Sequence, residues 1–470
     1  MNDSGFFGTR LRGLRRRWQA IAGSAYDEEA ASLRPELPLD DRPRLLNRMR
    51  QCLDARGGEV LARAQAAALG RVYLNLNEQG RGEFLRMLAQ EFDHDKSEVA
   101  RALRALESAA TPAGSRRARR ALIKATESPR TIILTRFNAL PQGVKFLVDL
   151  RADLLPLAGK DPLLASLDDD LKGLLGAWFD PDFLQLQRIS WNTASGALLE
   201  KFMAYEAVHP VESWEDLKNR LDHDRRYFAF FHPRMPEEPL IFLEVALVRG
   251  MAGNIQELLD PTAPPGESTS ADTAIFYSIS NAQKGLAGIS FGGFLIKRVV
   301  DELAGELPGL ERFATLSPLP GLKRWMEGAL TGDGGSLLPA EVKRLRVWSE
   351  EGDVSRWLVG VLQGAQWRAD EDVEKSVKPV FLRLAARYLA LERRKDGRAL
   401  DPVAHFHLSN GARVERLNWA ADTSSRGLAQ SNGIMVNYLY DSRKIEANHE
   451  AYRGKGEVVS SPSVRALLKG

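Results

Sequence analysis

The chain has 470 residues, 44% of them hydrophobic, with 65 Lys and Arg against 62 Asp and Glu for a net charge of +3. That length implies two or three domains with enough apolar material to build cores without metal or disulfide staples. The near balance of charge argues against a dedicated nucleic-acid binder, the single cysteine, Cys52, excludes intrachain disulfides and cysteine-ligated clusters, and no run of apolar residues is long enough to span a membrane.

Residues 10–17, RLRGLRRR, hold five arginines, and no acid stands between Asp3 and Asp27. The segment reads as a basic first helix on a helical domain. The alternative is an Arg-rich transit segment over residues 1–25. The protein is therefore expected in the cytoplasm, or in the mitochondrial matrix if that segment directs it there. Helical periodicity then follows in blocks: Leu61, Ala64, Ala68, Leu69 and Val72; Phe84, Leu85, Leu88 and Phe92; Val99, Leu103 and Leu106. Arg56-Gly57-Gly58, Thr111-Pro112-Ala113-Gly114, Ser128-Pro129 and Asp161-Pro162 separate the blocks. The β-branched cluster Thr131–Leu134 is the single strand signal, and Arg116–Arg120 reads as a solvated helix face. Residues 1–185 are thus expected to form an α-helical domain.

The texture changes near Trp191. Arg226–Phe231 and Leu240–Val248 read as strands of a hairpin, joined by the turn-rich piece His232–Pro239. Ala274–Ile279 reads as a strand leading through a glycine-containing loop into a helix over Phe291–Leu307. A short strand ends at Thr315-Leu316-Ser317, before Pro318-Leu319-Pro320. Residues 321–396 are predicted helical, and strands return at Ala404–Leu408, Val414–Asn418 and Ile434–Leu439. The fold class expected is α+β: a helical domain over 1–185, then a mixed α/β domain over 186–470 carrying a helical insertion.

Three stretches carry chemistry. In the strand–loop–helix at 274–306, Gly285, Gly288, Gly292 and Gly293 keep side chains off the backbone, so that N–H groups can face an anion at a helix N-terminus. The spacing is neither a Walker A loop nor G-x-G-x-x-G, and a glycine turn packing a helix against a sheet gives the same pattern. Ser317, at a strand end and fixed by two prolines, presents a rigid hydroxyl, although such a serine is also an ordinary cap. His405 and His407, two apart on a predicted strand, share a face. That spacing is open to a metal ion, but no third ligand accompanies them.

Four ordered blocks go beyond pattern: FYSISNAQKGLAGISFGGFLIKRVV (276–300), FATLSPLPG (313–321), DPVAHFHLSNGA (401–412) and LNWAADTSSRGLAQSNGIMVNYLY (417–440), supported by RISW (188–191) and EAVHPV (206–211). Through them the C-terminal half resembles the malonyl-CoA decarboxylases. The resemblance implies a helical N-terminal domain used in oligomerisation, giving a homodimer or homotetramer, and a catalytic domain like that of the GNAT acetyltransferases. It implies conversion of malonyl-CoA to acetyl-CoA and CO2 through a thioester enolate protonated at the α-carbon, with no cofactor, no metal, and neither nucleic acid nor membrane as partner. It carries the catalytic pair onto Ser317 and His407, the histidine before Leu-Ser-Asn-Gly, in preference to His405. It places the CoA thioester against Gly285, Ala287, Gly288, Ile289, Ser290, Phe291, Gly292, Gly293 and Ile296, with Tyr440 as the aromatic near the site. Ser290 stands where some members carry an acid. Two other readings of the same loop are an acyl-CoA-dependent acyltransferase and a non-enzymatic acyl-CoA-binding protein. His407 is expected to donate a proton from the ordinary imidazole range near neutral pH.

Overall fold

The structure, a computed structural model, describes residues 14–23, 32–54, 58–179, 181–264, 266–289, 295–332, 336–349, 353–364 and 370–469. The chain divides into two compact units. One comprises Met1–Leu184 with His232–Glu238 and Gln283–Ser290; the other comprises Gln185–Phe231, Pro239–Ala282 and Phe291–Gly470.

The first unit is built from helices, including Glu59–Asn75, Glu78–Glu91, Lys96–Glu107, Pro112–Thr126, Pro129–Asn138, Gly143–Ala158 and Pro162–Trp178. The Xaa-Pro pairs read as breakers are helix starts. Thr111 and Asp161 cap backbone N–H groups with their side chains while Pro112, Pro129 and Pro162 occupy the first helical turn, where a missing N–H costs nothing. Thr131–Leu134 is therefore helical, with Ile133 and Leu134 buried. The start signal and tertiary burial override β propensity there. Residues 14–22 are helical, and Trp18 is fully buried, edge-on to Phe146 at 4.9 Å between centroids and donating its indole N–H to Pro141 O at 3.0 Å. The described part of the basic segment, residues 14–17, thus belongs to a helix tied into the core. Arg116, Arg117, Arg119 and Arg120 are exposed around buried Ala118, as a solvated face requires.

The second unit is organised on a mixed sheet of β1 (Gln185–Ile189), β2 (Arg225–His232), β3 (Met235–Val248), β4 (Thr273–Asn281), β5 (Arg312–Thr315), β6 (Ser317–Pro318), β7 (Arg413–Asn418) and β8 (Met435–Leu439), in the order β1-β2-β3-β4-β5-β8-β6, with β7 also on β8. β3 and β4 are antiparallel, β4 and β5 parallel. The helix Leu295–Glu306 lies between β4 and β5 in sequence, as a parallel pair requires. Two hydrophobic cores pack along the sheet: Tyr227, Ala229, Phe231 and Phe242 join Phe202 and Leu217 in one, and Ala246, Ile275, Ala314 and Met435 join Ile255 in the other. Truncating a core phenylalanine such as Phe202 removes about 3–5 kcal/mol. The helical insertion runs through Leu322–Thr331, Pro339–Leu345, Val354–Gln363 and Glu371–Ala390.

Three expectations need correction. The turn-rich piece 232–239 is mostly strand: β3 starts at Met235, and only Pro233 and Arg234 connect it to β2. Pro236 and Pro239 precede Ile241, where pairing with β4 begins, so they remove no bond from that ladder. The sheet starts at Gln185, before Trp191. Ala404–Leu408 is helix, within Pro402–Ser409, because Asp401 caps the N–H groups of Val403 and Ala404 and Pro402 opens the first turn. His405 and His407 therefore point in different directions instead of sharing a face.

Candidate active site

The site grows from a fork in the sheet. β4 and β5 pair in register from Thr273↔Arg312 to Phe276↔Thr315, and Leu316 N–H still bonds Phe276 O. The next residues part company. β4 continues to Asn281 beside β3, with a bulge opposite Glu244/Val245, while Ser317 and Pro318 turn onto β8. A cavity of about 210 Å³ opens at the fork, lined by Phe276, Tyr277, Ile279 and Asn281 from β4, Ser317 and Pro318 from β6, and Pro402, Val403, Phe406 and His407 from the helix that Asp401 caps.

One chain of hydrogen bonds runs along the wall. Ser317 Oγ donates to Thr315 Oγ1 at 2.8 Å and lies 3.1 Å from His407 Nε2; His407 Nδ1 lies 2.8 Å from Tyr440 Oη. The bonds are mutually consistent with a neutral imidazole that donates from Nε2 to Ser317 and accepts at Nδ1 from the Tyr440 hydroxyl. Thr315 is itself fixed, its hydroxyl oxygen accepting from Tyr438 N–H at 3.1 Å and its carbonyl from Asn437 Nδ2 at 2.7 Å. Tyr440 N–H bonds Phe313 O at 2.8 Å, and the His407 ring stacks on Tyr438 at 4.5 Å. Ser317, His407 and Tyr440 are all buried. Burial pushes His407 down to about 3 and the Tyr440 phenol well above its ordinary range. The expectation of an ordinary imidazole is thus overturned: with no carboxylate among the described residues holding a proton on it, the ring is neutral at pH 7.

His405 faces elsewhere, its Nδ1 2.8 Å from Tyr452 Oη and 3.3 Å from Ser409 Oγ. Among the described residues no cluster of three His, Cys, Asp or Glu is arranged to hold a metal ion. Behind the cavity the EAVHPV stretch contributes Glu206, which accepts from Val208 and His209 N–H and from the Ser278 and Ser280 hydroxyls at 2.7–3.2 Å. Buried Glu244 is pushed up to about 8 by burial and then by Glu206, against Arg220 Nη1 at 3.2 Å. Sequence reasoning quoted EAVHPV without assigning this network, and it missed Asn281, the amide on the cavity wall. Asn281 lay in the loop expected after the strand Ala274–Ile279, whereas it ends the observed β4.

The glycine loop belongs to the helical unit. Buried Arg151 donates to Gly285 O at 2.7 Å and Ala287 O at 2.8 Å and pairs with Asp168 at 2.7 Å. Gly285 is required by contact: a Cβ there would sit 1.7 Å from Val148 O. Gly288 is required by conformation, at φ +74°. Leu286, Ala287 and Ile289 donate back to Gln283, Lys284 and Leu286 O, closing the turn. Ile296 is buried in the first turn of the helix Leu295–Glu306. Ser290, Phe291, Gly292 and Gly293 lie outside the described residues.

A serine, an imidazole and a phenol stand in one hydrogen-bonded line beside a small, mostly apolar cavity of an α+β fold. The family described as malonyl-CoA decarboxylase C-terminal domain matches residues 182–470, and its N-terminal domain matches residues 92–179. The mitochondrial malonyl-CoA decarboxylase of Anser anser anser is 38% identical over 431 residues, covering 87% of this chain and 84% of that protein, and that of Rattus norvegicus is 36% identical over 429 residues, covering 87% and 86%. Crystal structures of malonyl-CoA decarboxylase from Rhodopseudomonas palustris and Agrobacterium vitis are each 41% identical, with TM-scores of 0.82 and 0.81, and cover 90% of this chain and 99% of theirs. The chain belongs to the malonyl-CoA decarboxylase family, which makes it a carboxy-lyase.

Proposed function

We propose that this chain decarboxylates malonyl-CoA with Ser317, His407 and Tyr440 at the malonyl end. The observation that carries the reading is the buried Ser317–His407 contact of 3.1 Å on the wall of a cavity of about 210 Å³. The substrate carboxylate seated there places a negative charge beside the ring, and it draws a proton from solvent onto His407. Tyr440 Oη accepts from Nδ1–H of the charged ring as readily as it donates to the neutral one. The bond between the α-carbon and the carboxylate then breaks, and its electron pair moves onto the thioester carbonyl as an enolate. CO2 leaves, removing the charge that held the proton. His407, returned to an apolar surrounding, becomes a strong acid and delivers its proton to the α-carbon. Malonyl-CoA and one proton give acetyl-CoA and CO2, and the imidazole ends neutral. Asn281 is the donor on the wall available to the enolate oxygen, and one such donor is typically worth about 3 kcal/mol. Phe276, Val403 and Phe406 favour the neutral product over the charged ground state.

The CoA body is assigned to the loop Gly285, Ala287, Gly288, Ile289, Ser290, Phe291, Gly292 and Gly293 and to Ile296, in the GNAT-like arrangement the sequence resemblance implies. Residues 1–185 serve oligomerisation into a dimer or tetramer and residues 186–470 catalysis. The assigned compartment is the cytoplasm, or the mitochondrial matrix if residues 1–25 direct the chain there; the relatives in Anser anser anser and Rattus norvegicus are named as mitochondrial. No helix among the described residues is long and apolar enough to cross a membrane. Incubation with malonyl-CoA and mass spectrometry tests the function. Equimolar acetyl-CoA and CO2 are expected; acyl transfer to an amine, or binding without turnover, sinks it.

A further inference from the structure

We propose that Lys172 of the helical unit binds a phosphate of the CoA substrate, so that this unit takes part in substrate recognition as well as in assembly. The inference rests on the proposed placement of CoA over the glycine loop.

Lys172 lies on the helix Pro162–Trp178, four residues after Asp168. Asp168 is committed to Arg151, and Arg151 holds the loop by two of its carbonyls. The same helix thus carries both the clamp and a cation: the position a Cβ would take on Gly288 is 3.5 Å from Lys172 Nζ and 3.7 Å from its Cε. Lys172 and Lys284 are both exposed, and among the described residues neither has an ion-pair or hydrogen-bond partner. By contrast, buried Lys145 of the same unit is paired to Asp149. The carbonyls of Gly285 and Ala287 are neutralised by the Arg151 guanidinium, which accepts no anion in competition because Asp168 already pairs it. The Gly288 N–H is left out of the ladder that closes the turn, and the absence of a side chain lets a phosphate approach it. An unpaired ammonium within reach of a bare, positive-φ glycine is suited to an anion of high charge, and CoA offers two, the pyrophosphate and the 3′-phosphate. A flexible ammonium acts on either as a point charge.

The test compares three thioesters on the full-length enzyme: malonyl-CoA, malonyl-dephospho-CoA, and S-malonyl-pantetheine, which carries no phosphate. The readout is the ratio of kcat/KM for malonyl-CoA to that for S-malonyl-pantetheine. Lys172→Ala should lower this ratio on the order of tenfold and Lys172→Glu on the order of a hundredfold, with Lys172→Arg restoring most of it. The Lys172→Glu penalty should shrink as salt rises from 50 to 500 mM, as screening requires. A penalty that persists with malonyl-dephospho-CoA assigns the contact to the pyrophosphate; one that disappears assigns it to the 3′-phosphate; either supports the inference. A wild-type ratio in Lys172→Glu overturns it. An equal loss on all three thioesters also overturns it, by making Lys172 merely structural. Failure of the wild-type enzyme to turn over malonyl-CoA would instead refute the function on which the inference rests.

Discussion

Substrate binding should carry a proton onto His407, and the size of the effect follows from the site. Burial alone takes the imidazole from 6.5 to about 3, so charging it at pH 7, about four units higher, costs about 5.5 kcal/mol. A carboxylate about 4 Å from the ring, at an effective dielectric of about 20, returns about 4 kcal/mol, most of that cost. About a tenth of a proton should therefore be taken up for each carboxylate bound at pH 7, and about half a proton at pH 6. Calorimetry in buffers of different ionisation enthalpy measures it directly. The ligand is an amide-linked malonyl analogue of CoA, whose poorer electron sink slows loss of CO2. Uptake is expected with this analogue, growing from about a tenth of a proton at pH 7 to about half at pH 6, and is expected to vanish in His407→Asn. Acetyl-CoA, which lacks the carboxylate, should give none. Equal uptake in wild type and His407→Asn, or none in either, would refute the proposed proton path.

Ser317→Ala and His407→Asn should each lower kcat by about 10²–10⁴-fold with little change in KM, and the double variant should match the worse single one. His405→Asn is the control: its partner is Tyr452, away from the cavity, and steady-state kinetics should leave it near wild type. Gly288→Asp places a Cβ at φ +74° and an acid near Lys172 Nζ, so calorimetry should show weakened CoA binding, whereas unchanged affinity would remove the loop from the CoA site. Acid should destabilise the fold through its buried histidines. His407 and His209 are held by burial at about 3 and about 4, against 6.5 unfolded. The unfolded chain binds more protons in that interval, so the contribution is complete above about pH 6.5 and is lost as pH falls toward those values. Melting curves from pH 7 to 4 should show a smaller fall in Tm for His407→Asn than for wild type; an equal or larger fall would count against the buried neutral ring.

What the sequence determined by itself was local. The helix periods of the first 185 residues, the strands at 226–231 and 274–279, and the glycine loop between strand and helix are all set by side-chain spacing and backbone freedom, which are properties of neighbours in the chain. The family resemblance carried by the ordered motifs pointed to Ser317, His407 and Tyr440, which the structure brings into one hydrogen-bonded line. Even locally one signal was misread: Asp401-Pro402 is a helix start, but the alternation of Ala404-His405-Phe406-His407-Leu408 suggested a strand. Only the tertiary structure decided the rest. Ser317 and His407 are 90 residues apart in the chain, and they meet because β6 registers Ser317 against Val436 while the Asp401-capped helix presents His407 to the same wall. No local propensity encodes a register between distant strands. The depressed proton affinity of His407 is likewise a consequence of complete desolvation by Tyr438, Tyr440 and the cavity wall. The grip of Arg151 on Gly285 and Ala287 spans more than 130 residues. A histidine or arginine code is the same letter in water or in a core, and the burial and partners that fix its chemistry exist only once the chain has closed around it.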